Sequence, residues 1–186
     1  MPPKVKIAKE DIINAALDIT RKFGLQAVNA RTLAAVLNCS TQPIFSNFTA
    51  MEELHRAVIQ RADVLYREYL QQEAVNGKYP VYKASGMAYI RFAKEEKELF
   101  KLLFMYDRAT APIFDNADLF DNMQDMVHQH TGLDPQSAGM FHLEMWVFVH
   151  GIATMFATGY LDLDQELISK MMTDAYQGLR KQYGME

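Results

Sequence analysis

The segment NCSTQPIFSNFT, residues 38–49, is rich in polar residues and carries no charged side chain. Ile44 and Phe48 are four residues apart within it, which is about one turn of an α-helix. Ser40 is predicted to cap this helix, and Pro43 suits its first turn, where a missing N–H costs nothing. The segment therefore predicts a short helix with one buried apolar side and one exposed polar side.

The flanking residues predict a helix on each side of this segment. A first helix ends at Gly24, which readily adopts the left-handed conformation of a helix C-terminus. Asn29 is a suitable N-cap for a second helix, and Asn38 tolerates the left-handed turn that follows it. Thr49 and Glu52 fit a capping box, so a long fourth helix is predicted from about residue 51. The apolar positions of the first helix recur at helical spacing: Ile12, Ile13, Ala16, Leu17, Thr20 and Phe23.

The remaining chain also reads as helices. Two are predicted between residues 81 and 107, and another around residues 119–127. Asp134 and Pro135 begin a long helix that is apolar on nearly all sides, so we expect it to be buried on most sides, and Gly159 ends it. A final amphipathic helix covers residues 162–183. Because no segment alternates as a strand would, we predict an all-α fold of about nine helices. Its expected domains are residues 1–50 and 51–186.

Composition limits the class of protein. The chain has 186 residues and is 49% hydrophobic, which is enough for a real core. Cys39 is the single cysteine, which excludes an internal disulfide and fits a reducing compartment. The N-terminus lacks the apolar run of a signal peptide, and the longest uncharged stretch, residues 145–161, is short for a membrane span. We expect a soluble cytoplasmic protein without a membrane partner.

Charge is distributed unevenly along the chain. Residues 1–61 hold eight Lys and Arg against five Asp and Glu, a charge of +3, so the remainder must carry −7 to reach the total of −4. Such asymmetry favours different partners for the two parts. Chance variation on solvated faces remains an alternative.

Two short helices joined by a tight turn are typical of a helix-turn-helix unit, whose second helix enters the major groove of DNA. Gln pairs well with adenine, and a Thr methyl suits the thymine methyl. The side chains expected to face base edges are Thr41, Gln42, Ser46 and Asn47. The basic side chains expected to neutralise phosphates are Lys4, Lys6, Lys9 and Arg31.

These residues resemble the N-terminal pattern of the TetR family of transcriptional regulators. The matching positions, within residues 8–56, are Phe23-Gly24, Leu33-Ala34, Ser40, Ile44, Phe48 and Leu54. ELFKLLFM and the Trp146, His150 and Gly151 motif resemble its C-terminal domain more weakly. The resemblance implies a dimeric repressor, released from a palindromic double-stranded DNA operator when a small, largely apolar effector binds the C-terminal domain. It also implies a homodimer through the last two helices, whose apolar surface would otherwise be exposed.

The sequence departs from the family pattern at positions that matter for DNA. Phe45 and Met51 replace a Tyr and a Lys that commonly contact phosphates in the family, and Asn38, Cys39 and Asn47 replace Gly, Val and His. Each lost phosphate contact should flatten the salt dependence of binding by about one unit of slope. The alternative is therefore a small-molecule binding protein with a degenerate DNA-binding head.

The resemblance assigns two sets of site residues. The predicted DNA-binding residues are Lys4, Lys6, Arg31, Thr32, Ser40, Thr41, Gln42, Pro43, Phe45, Ser46, Asn47 and Met51. Met-rich, aromatic helices adapt to varied apolar ligands, although ordinary core packing is the better explanation for most of these side chains. The predicted effector-binding residues are Phe104, Met105, Met123, Met145, Trp146, Val149 and His150.

Catalytic and metal-binding patterns are weak or missing in this sequence. It holds no Gly-rich phosphate loop, no H-E-x-x-H and no nucleophile elbow, so we predict neither an enzyme nor a cofactor. The histidine pairs 128/130 and 142/150 lack supporting ligands at metal-site spacing. Cys39 fits a small buried hydrophobe better than a redox sensor. The acidic residues at 115, 118, 121 and 125 fit a solvated helix face better than a site.

Overall fold

A computed structural model describes residues 7–106 and 117–185, with the backbone alone at residues 117–122. Over these residues all regular secondary structure is helical, with nine α-helices, one 3₁₀ turn and no strand, which confirms the predicted all-α fold. The 3₁₀ turn spans Leu25–Ala27. The helices are α1 (Lys9–Phe23), α2 (Ala30–Val36), α3 (Gln42–Asn47), α4 (Met51–Asn76), α5 (Val81–Glu95), α6 (Lys97–Phe104), α7 (Ala117–Thr131), α8 (Pro135–Ala157) and α9 (Gln165–Gln182).

The described chain forms two compact units. Residues 7–66 and 96–106 make the N-terminal unit, and residues 67–95 and 117–185 make the C-terminal unit. Helix α4 contributes to both units, and α6 packs on α1 in the N-terminal unit. The predicted domain boundary after residue 50 stays a prediction.

Four helices of the N-terminal unit each contribute a side chain to its buried interior. Ile12 of α1, Leu33 of α2, Ile44 of α3 and Leu54 of α4 are completely buried. Burial takes the apolar surface of these four side chains out of water, and this hydrophobic gain holds α2 and α3 in a fixed arrangement. Phe23 departs from the prediction, since it is 65% exposed. The last buried residue of α1 is Thr20, so Phe23, the last residue of the helix, lies beyond its buried part.

Most of the predicted helix ends are confirmed. Gly24 has φ +80° at the end of α1, and its N–H donates to the carbonyl of residue 20. The Asn29 side chain accepts hydrogen bonds from two backbone N–H groups of α2, and Asp134 does the same for α8. Asn38 has φ +49°, the only positive φ at a non-glycine residue in the described chain. Asn29 and Asp134 begin helices because their side chains accept hydrogen bonds from N–H groups that have no partner within the helix. Gly24 and Asn38 follow helices because they adopt a positive φ more readily than other residues.

Two predicted caps are wrong in detail. Ser40 does not cap α3, which begins at Gln42 and has Thr41 at the N-cap position without a side-chain hydrogen bond. With Ser40 at the N-cap, Pro43 would occupy the third helical position, where it has no N–H to donate, so only the N–H of Gln42 could have reached the Ser40 hydroxyl. Thr49 donates its backbone N–H (2.9 Å) and its hydroxyl (2.8 Å) to Glu53 rather than to residue 52. The reason is that α4 begins at residue 51, which puts Glu53 at its third position.

Helix α8 is the centre of the C-terminal unit, where α5, α7 and α9 pack against it. One side is buried, but the prediction of burial on most sides is wrong. A stripe at spacings of three, four and eight residues remains exposed: Met140, Leu143, Val147 and Met155. Among the described residues, the helices that pack on α8 cover its other side. Among the described helices, α8 has the length and composition of a membrane span, which is weak evidence because the packed core helix of a globular unit has the same properties.

Candidate nucleic-acid interface and effector site

Helix α3 has a buried side and an exposed side. Ile44 is fully buried, and Phe48, directly after the helix, is 2% exposed. Gln42, Phe45 and Ser46 are exposed on the opposite side. Because the Asn38 turn and the core of the N-terminal unit hold the buried side in place, the exposed side presents a rigid surface to a partner.

Hydrogen bonds within α3 engage part of its polar surface. The Ser46 hydroxyl donates to the Gln42 carbonyl at 2.8 Å. The Asn47 amide donates to the carbonyls of Pro43 (2.8 Å) and Ile7 (3.5 Å), and its side chain is only partly exposed. Asn47 thus faces inward more than we predicted, and the Ser46 hydrogen is directed to the helix backbone. Of the predicted base-reading amides, Gln42 is the exposed one.

The other predicted DNA-binding residues surround α3 unevenly. Arg31 is exposed in the first turn of α2, and Ser40 is exposed before α3. Thr32 has a structural task, since its hydroxyl accepts from the Asn29 N–H at 3.1 Å and donates to the Ala27 carbonyl at 2.9 Å. Thr41, Pro43 and Met51 are partly buried, and Met51 is the first residue of α4. Lys4 and Lys6 lie outside the described residues.

Lys9 is held by other side chains of the N-terminal unit. Its ammonium lies 2.9 Å from a carboxylate oxygen of Glu53 and 4.6 Å from the centre of the Phe48 ring. The Thr49 N–H, together with Lys9, lowers the pKa of Glu53 to about 2, so this carboxylate stays charged. Sequence reasoning assigned Lys9 to a phosphate, but in this structure its partner is a carboxylate.

Two tyrosine–histidine pairs join α5 to α8. The Tyr82 hydroxyl is hydrogen-bonded to Nδ1 of His142 at 3.0 Å, and the Tyr89 hydroxyl to Nδ1 of His150 at 2.8 Å. Burial lowers the pKa of both imidazoles, that of His142 to about 4, so both rings are neutral at pH 7. The His150 ring also stacks on Trp146, with 4.8 Å between ring centres. Sequence reasoning found His150 and Trp146 but not the tyrosines, which lie about 60 residues away in the chain.

The predicted effector residues are divided between the two units. Met145 and Val149 are buried in the C-terminal unit, and Met123 is partly buried on α7. Phe104 belongs to the N-terminal unit, where its ring packs edge-on against that of Tyr66 with 5.1 Å between the ring centres, and Met105 follows it in the chain. Within the C-terminal unit, the structure brings Trp146 and His150 directly together.

An apolar cavity of about 270 Å³ lies between α8, α9 and the loop that joins them. None of the predicted effector residues lines it. Its lining comes from three segments that only the folded chain brings together, and the sole sequence signal is the four-residue spacing on α8. The lining residues are Val147, Phe148, Gly151, Ile152, Met155, Phe156, Leu161, Leu163 and Met171.

The remaining candidates are isolated side chains. Within the described residues no group of three or more His, Cys, Asp or Glu side chains is placed to hold a metal ion. His128 and His130 are instead hydrogen-bonded to backbone carbonyls at 2.6 and 2.8 Å. Cys39 is a free thiol and is only partly buried. Of the acidic series, Asp125 is exposed, whereas positions 115, 118 and 121 lie outside the residues with described side chains.

An all-α chain whose helix–turn–helix has one buried and one exposed side, together with a larger helical unit, is typical of helix-turn-helix transcriptional regulators. The model of one protein family, described as the tetracyclin repressor-like C-terminal domain, matches residues 82–176. This match covers half of the chain, and the chain therefore belongs to the TetR family of transcriptional regulators. No curated protein matches the sequence. The resemblance seen in the N-terminal motif is thus confirmed by an independent part of the chain.

Proposed function

We propose that the protein is a cytoplasmic, dimeric DNA-binding repressor that leaves a palindromic operator when a small, largely apolar effector binds its C-terminal unit. The observation that carries this proposal is the two-sided packing of α3. The buried Ile44 side chain anchors the helix, and Gln42 and Phe45 are exposed on its other side. The chain also belongs to a family of transcriptional regulators. A helix fixed in this way can present its exposed side to the major groove.

The exposed stripe of α8 supports a homodimer. Leu143 and Val147 are 40% and 57% exposed, and the same side of the helix borders the apolar cavity. A second copy of the chain, packing its own α8 and α9 on this surface, would remove it from water. Two copies would then present recognition helices about 34–36 Å apart, the spacing of successive major grooves.

The pair of Trp146 and His150 supports an effector site in the C-terminal unit. A half-buried indole stacked on a neutral imidazole offers a flat apolar surface with a polar atom at its edge. Such a surface suits a largely apolar molecule with one hydrogen-bonding group. The effector would act by binding the operator-incompetent dimer more tightly than the operator-bound one.

A gel-shift titration tests the proposal. Full-length protein is mixed with duplex DNA from the region upstream of its own gene, at several salt concentrations. We expect a sequence-specific complex containing two protein chains, weakened by salt as phosphate contacts require. Gln42→Ala should bind many sequences more equally, whereas Arg31→Ala should weaken binding to all sequences alike. The proposal is wrong if the folded dimer gives no specific complex at any salt concentration.

A second candidate is a small-molecule binding protein whose DNA-binding head has degenerated. It is favoured by the absence of a hydroxyl at Phe45 and an ammonium at Met51, and by the engagement of Lys9 with Glu53. Trp146 is the only tryptophan, so its fluorescence can follow the binding of apolar compounds. Under this candidate the Kd of a bound compound is the same with and without upstream DNA. Under the repressor proposal, DNA raises that Kd.

A further inference from the structure

The exposed side of α3 carries an aromatic ring without a polar group. Phe45 is 54% exposed, although phenylalanine is among the residues most often buried. It lies three residues after Gln42, and residues at this spacing share one side of a helix. Gln42 and Phe45 are therefore neighbours on the surface that α3 presents outward.

The hydrogen bonds of α3 leave this pair as its main outward features. The Ser46 hydroxyl donates to the Gln42 carbonyl, and the Asn47 amide donates to the Pro43 carbonyl. Pro43 and Asn47 are partly buried. The large exposed side chains of the helix are thus one amide and one apolar ring.

We propose that Phe45 reads thymine by packing its ring against the C5-methyl group in the major groove, beside an adenine read by Gln42. This inference rests on the proposed DNA-binding function. The thymine methyl is the apolar group that base pairs present in the major groove, and apolar side chains recognise it. A phosphate, in contrast, is charged and hydrated and offers a phenyl ring nothing to bind.

The spacing along the helix agrees with this assignment. Three residues of an α-helix rise by about 4.5 Å, and successive base pairs are about 3.4 Å apart along each strand. Gln42 and Phe45 therefore span neighbouring base pairs. The expected half-site contains an adenine and a thymine at adjacent positions, and the affinity depends on the methyl group of that thymine.

The test uses DNA that lacks only the methyl group. Duplexes that bind full-length protein are first selected from random double-stranded DNA. Each thymine of the selected half-site is then replaced in turn by deoxyuridine, and Kd is measured by fluorescence anisotropy at fixed salt. Burial of one methyl group corresponds to about a fourfold change in Kd. We expect such an increase at one position of each half-site.

Phe45→Ala identifies the side chain that senses the methyl group. In this variant, thymine and deoxyuridine at the sensitive position should bind equally well. Val36→Ala is the matched control, because Val36 is also an exposed apolar residue of the N-terminal unit, at 61% exposure, but lies on α2. It should retain the full sensitivity of the unchanged protein. Since Phe45 is exposed, its replacement should leave the circular dichroism spectrum unchanged.

Phe45→Tyr tests the competing phosphate position. If the ring lay against the sugar-phosphate backbone of DNA, the new hydroxyl would gain a phosphate contact and the variant would bind every DNA sequence more tightly. A ring against a thymine methyl would gain no such general tightening, and this is the result we expect.

The outcomes separate the two levels of inference. If no duplex is selected, the proposed function and this inference both fail. If duplexes are selected but binding is insensitive to deoxyuridine, or remains sensitive in Phe45→Ala, only the role of Phe45 is overturned. A general tightening by Phe45→Tyr also overturns that role.

Discussion

The Tyr82 hydroxyl on α5 lies 3.0 Å from Nδ1 of His142 on α8, and it forms a hydrogen bond within the core of the C-terminal unit. His142 is only 6% exposed. The same arrangement recurs about two helical turns further along, where the Tyr89 hydroxyl lies 2.8 Å from Nδ1 of His150. Two directional bonds therefore join helices that otherwise pack through apolar side chains, and they set the alignment of α5 on α8.

Removal of the Tyr82 hydroxyl should destabilise the C-terminal unit. Tyr82→Phe keeps the ring but loses a hydrogen bond to a buried nitrogen, which we expect to lower the free energy of unfolding by about 1 kcal/mol. Urea denaturation followed by circular dichroism measures the change. Tyr160→Phe is the control, because Tyr160 is 78% exposed and should show no effect. Equal stabilities of the two variants would contradict the prediction.

Stability should decrease as the pH is lowered from about 6.5 to about 4. Burial lowers the pKa of His142 from 6.5 to about 4, so in this window the unfolded chain binds a proton that the folded chain does not. Protonation therefore favours unfolding as the pH falls, and the stability is fully present above pH 6.5. The expected loss is of the order of 2–3 kcal/mol, since a difference of one pKa unit between the folded and unfolded chain corresponds to about 1.4 kcal/mol.

The pH prediction has an internal control. His142→Gln removes the titrating group and should flatten the dependence of the unfolding free energy on pH between 6.5 and 4. His150, whose pKa is also lowered by burial, should leave a smaller dependence in this variant. Glu53, whose pKa is lowered from 4.5 to about 2, loses its contribution as the pH falls from 4.5 to 2, so it overlaps this window only at its acidic end. An unchanged slope in His142→Gln would refute the assignment.

Arg21 and Glu96 should be energetically coupled. The guanidinium donates to both carboxylate oxygens at 2.9 and 2.8 Å, and the Glu96 side chain is only 14% exposed. A double-mutant cycle with Arg21→Gln and Glu96→Gln should give a coupling of about 1 kcal/mol, since bidentate geometry is the favourable case. The exposed pair of Lys170 and Asp174 is the comparison and should give a coupling near zero. Thermal unfolding of the four proteins in each cycle measures both values.

Replacement of Asn38 by alanine should be destabilising. Asn38 has φ +49°, a conformation that costs a residue with a Cβ roughly 1 kcal/mol unless its side chain bonds locally. Asn38→Ala should therefore lose about 1 kcal/mol, and Asn38→Gly should lose less or gain. Asn14→Ala, at an exposed position within α1, should instead stabilise by a few tenths of a kcal/mol. Effects of the same sign at both positions would show that the backbone conformation of Asn38 is not the cause.

A charge on the exposed stripe of α8 should break the proposed dimer. Val147 is 57% exposed and borders the apolar cavity, so Val147→Glu would bury a carboxylate in the contact between two chains. Sedimentation equilibrium should give a dimer for the unchanged protein and a monomer for this variant. Val75→Glu, at an 80% exposed apolar residue of α4, should remain a dimer. If Val147→Glu is still dimeric, the second copy does not pack on this stripe.

Local sequence signals were sufficient to predict the helices and most of their ends. Gly24, Asn29 and Asp134 each satisfy a backbone requirement of the residues beside them, so their roles do not depend on the rest of the fold. The errors at Ser40 and at Glu52 have the same origin. When a helix begins one residue earlier or later, a different N–H or carboxylate lies within hydrogen-bond distance of the capping residue. Sequence patterns define the first residue of a helix only to within a residue or two.

The sequence by itself determined the all-α class, the family and the two-sided character of α3, because apolar spacing and caps act over a few residues. Only the tertiary structure decided which candidates are neighbours. It joined Tyr89 to His150 and Lys9 to Glu53, it turned Asn47 toward the backbone, and it left Phe45 exposed. These outcomes depend on contacts between residues far apart in the chain, and their energies are decided by how whole helices pack rather than by any local pattern.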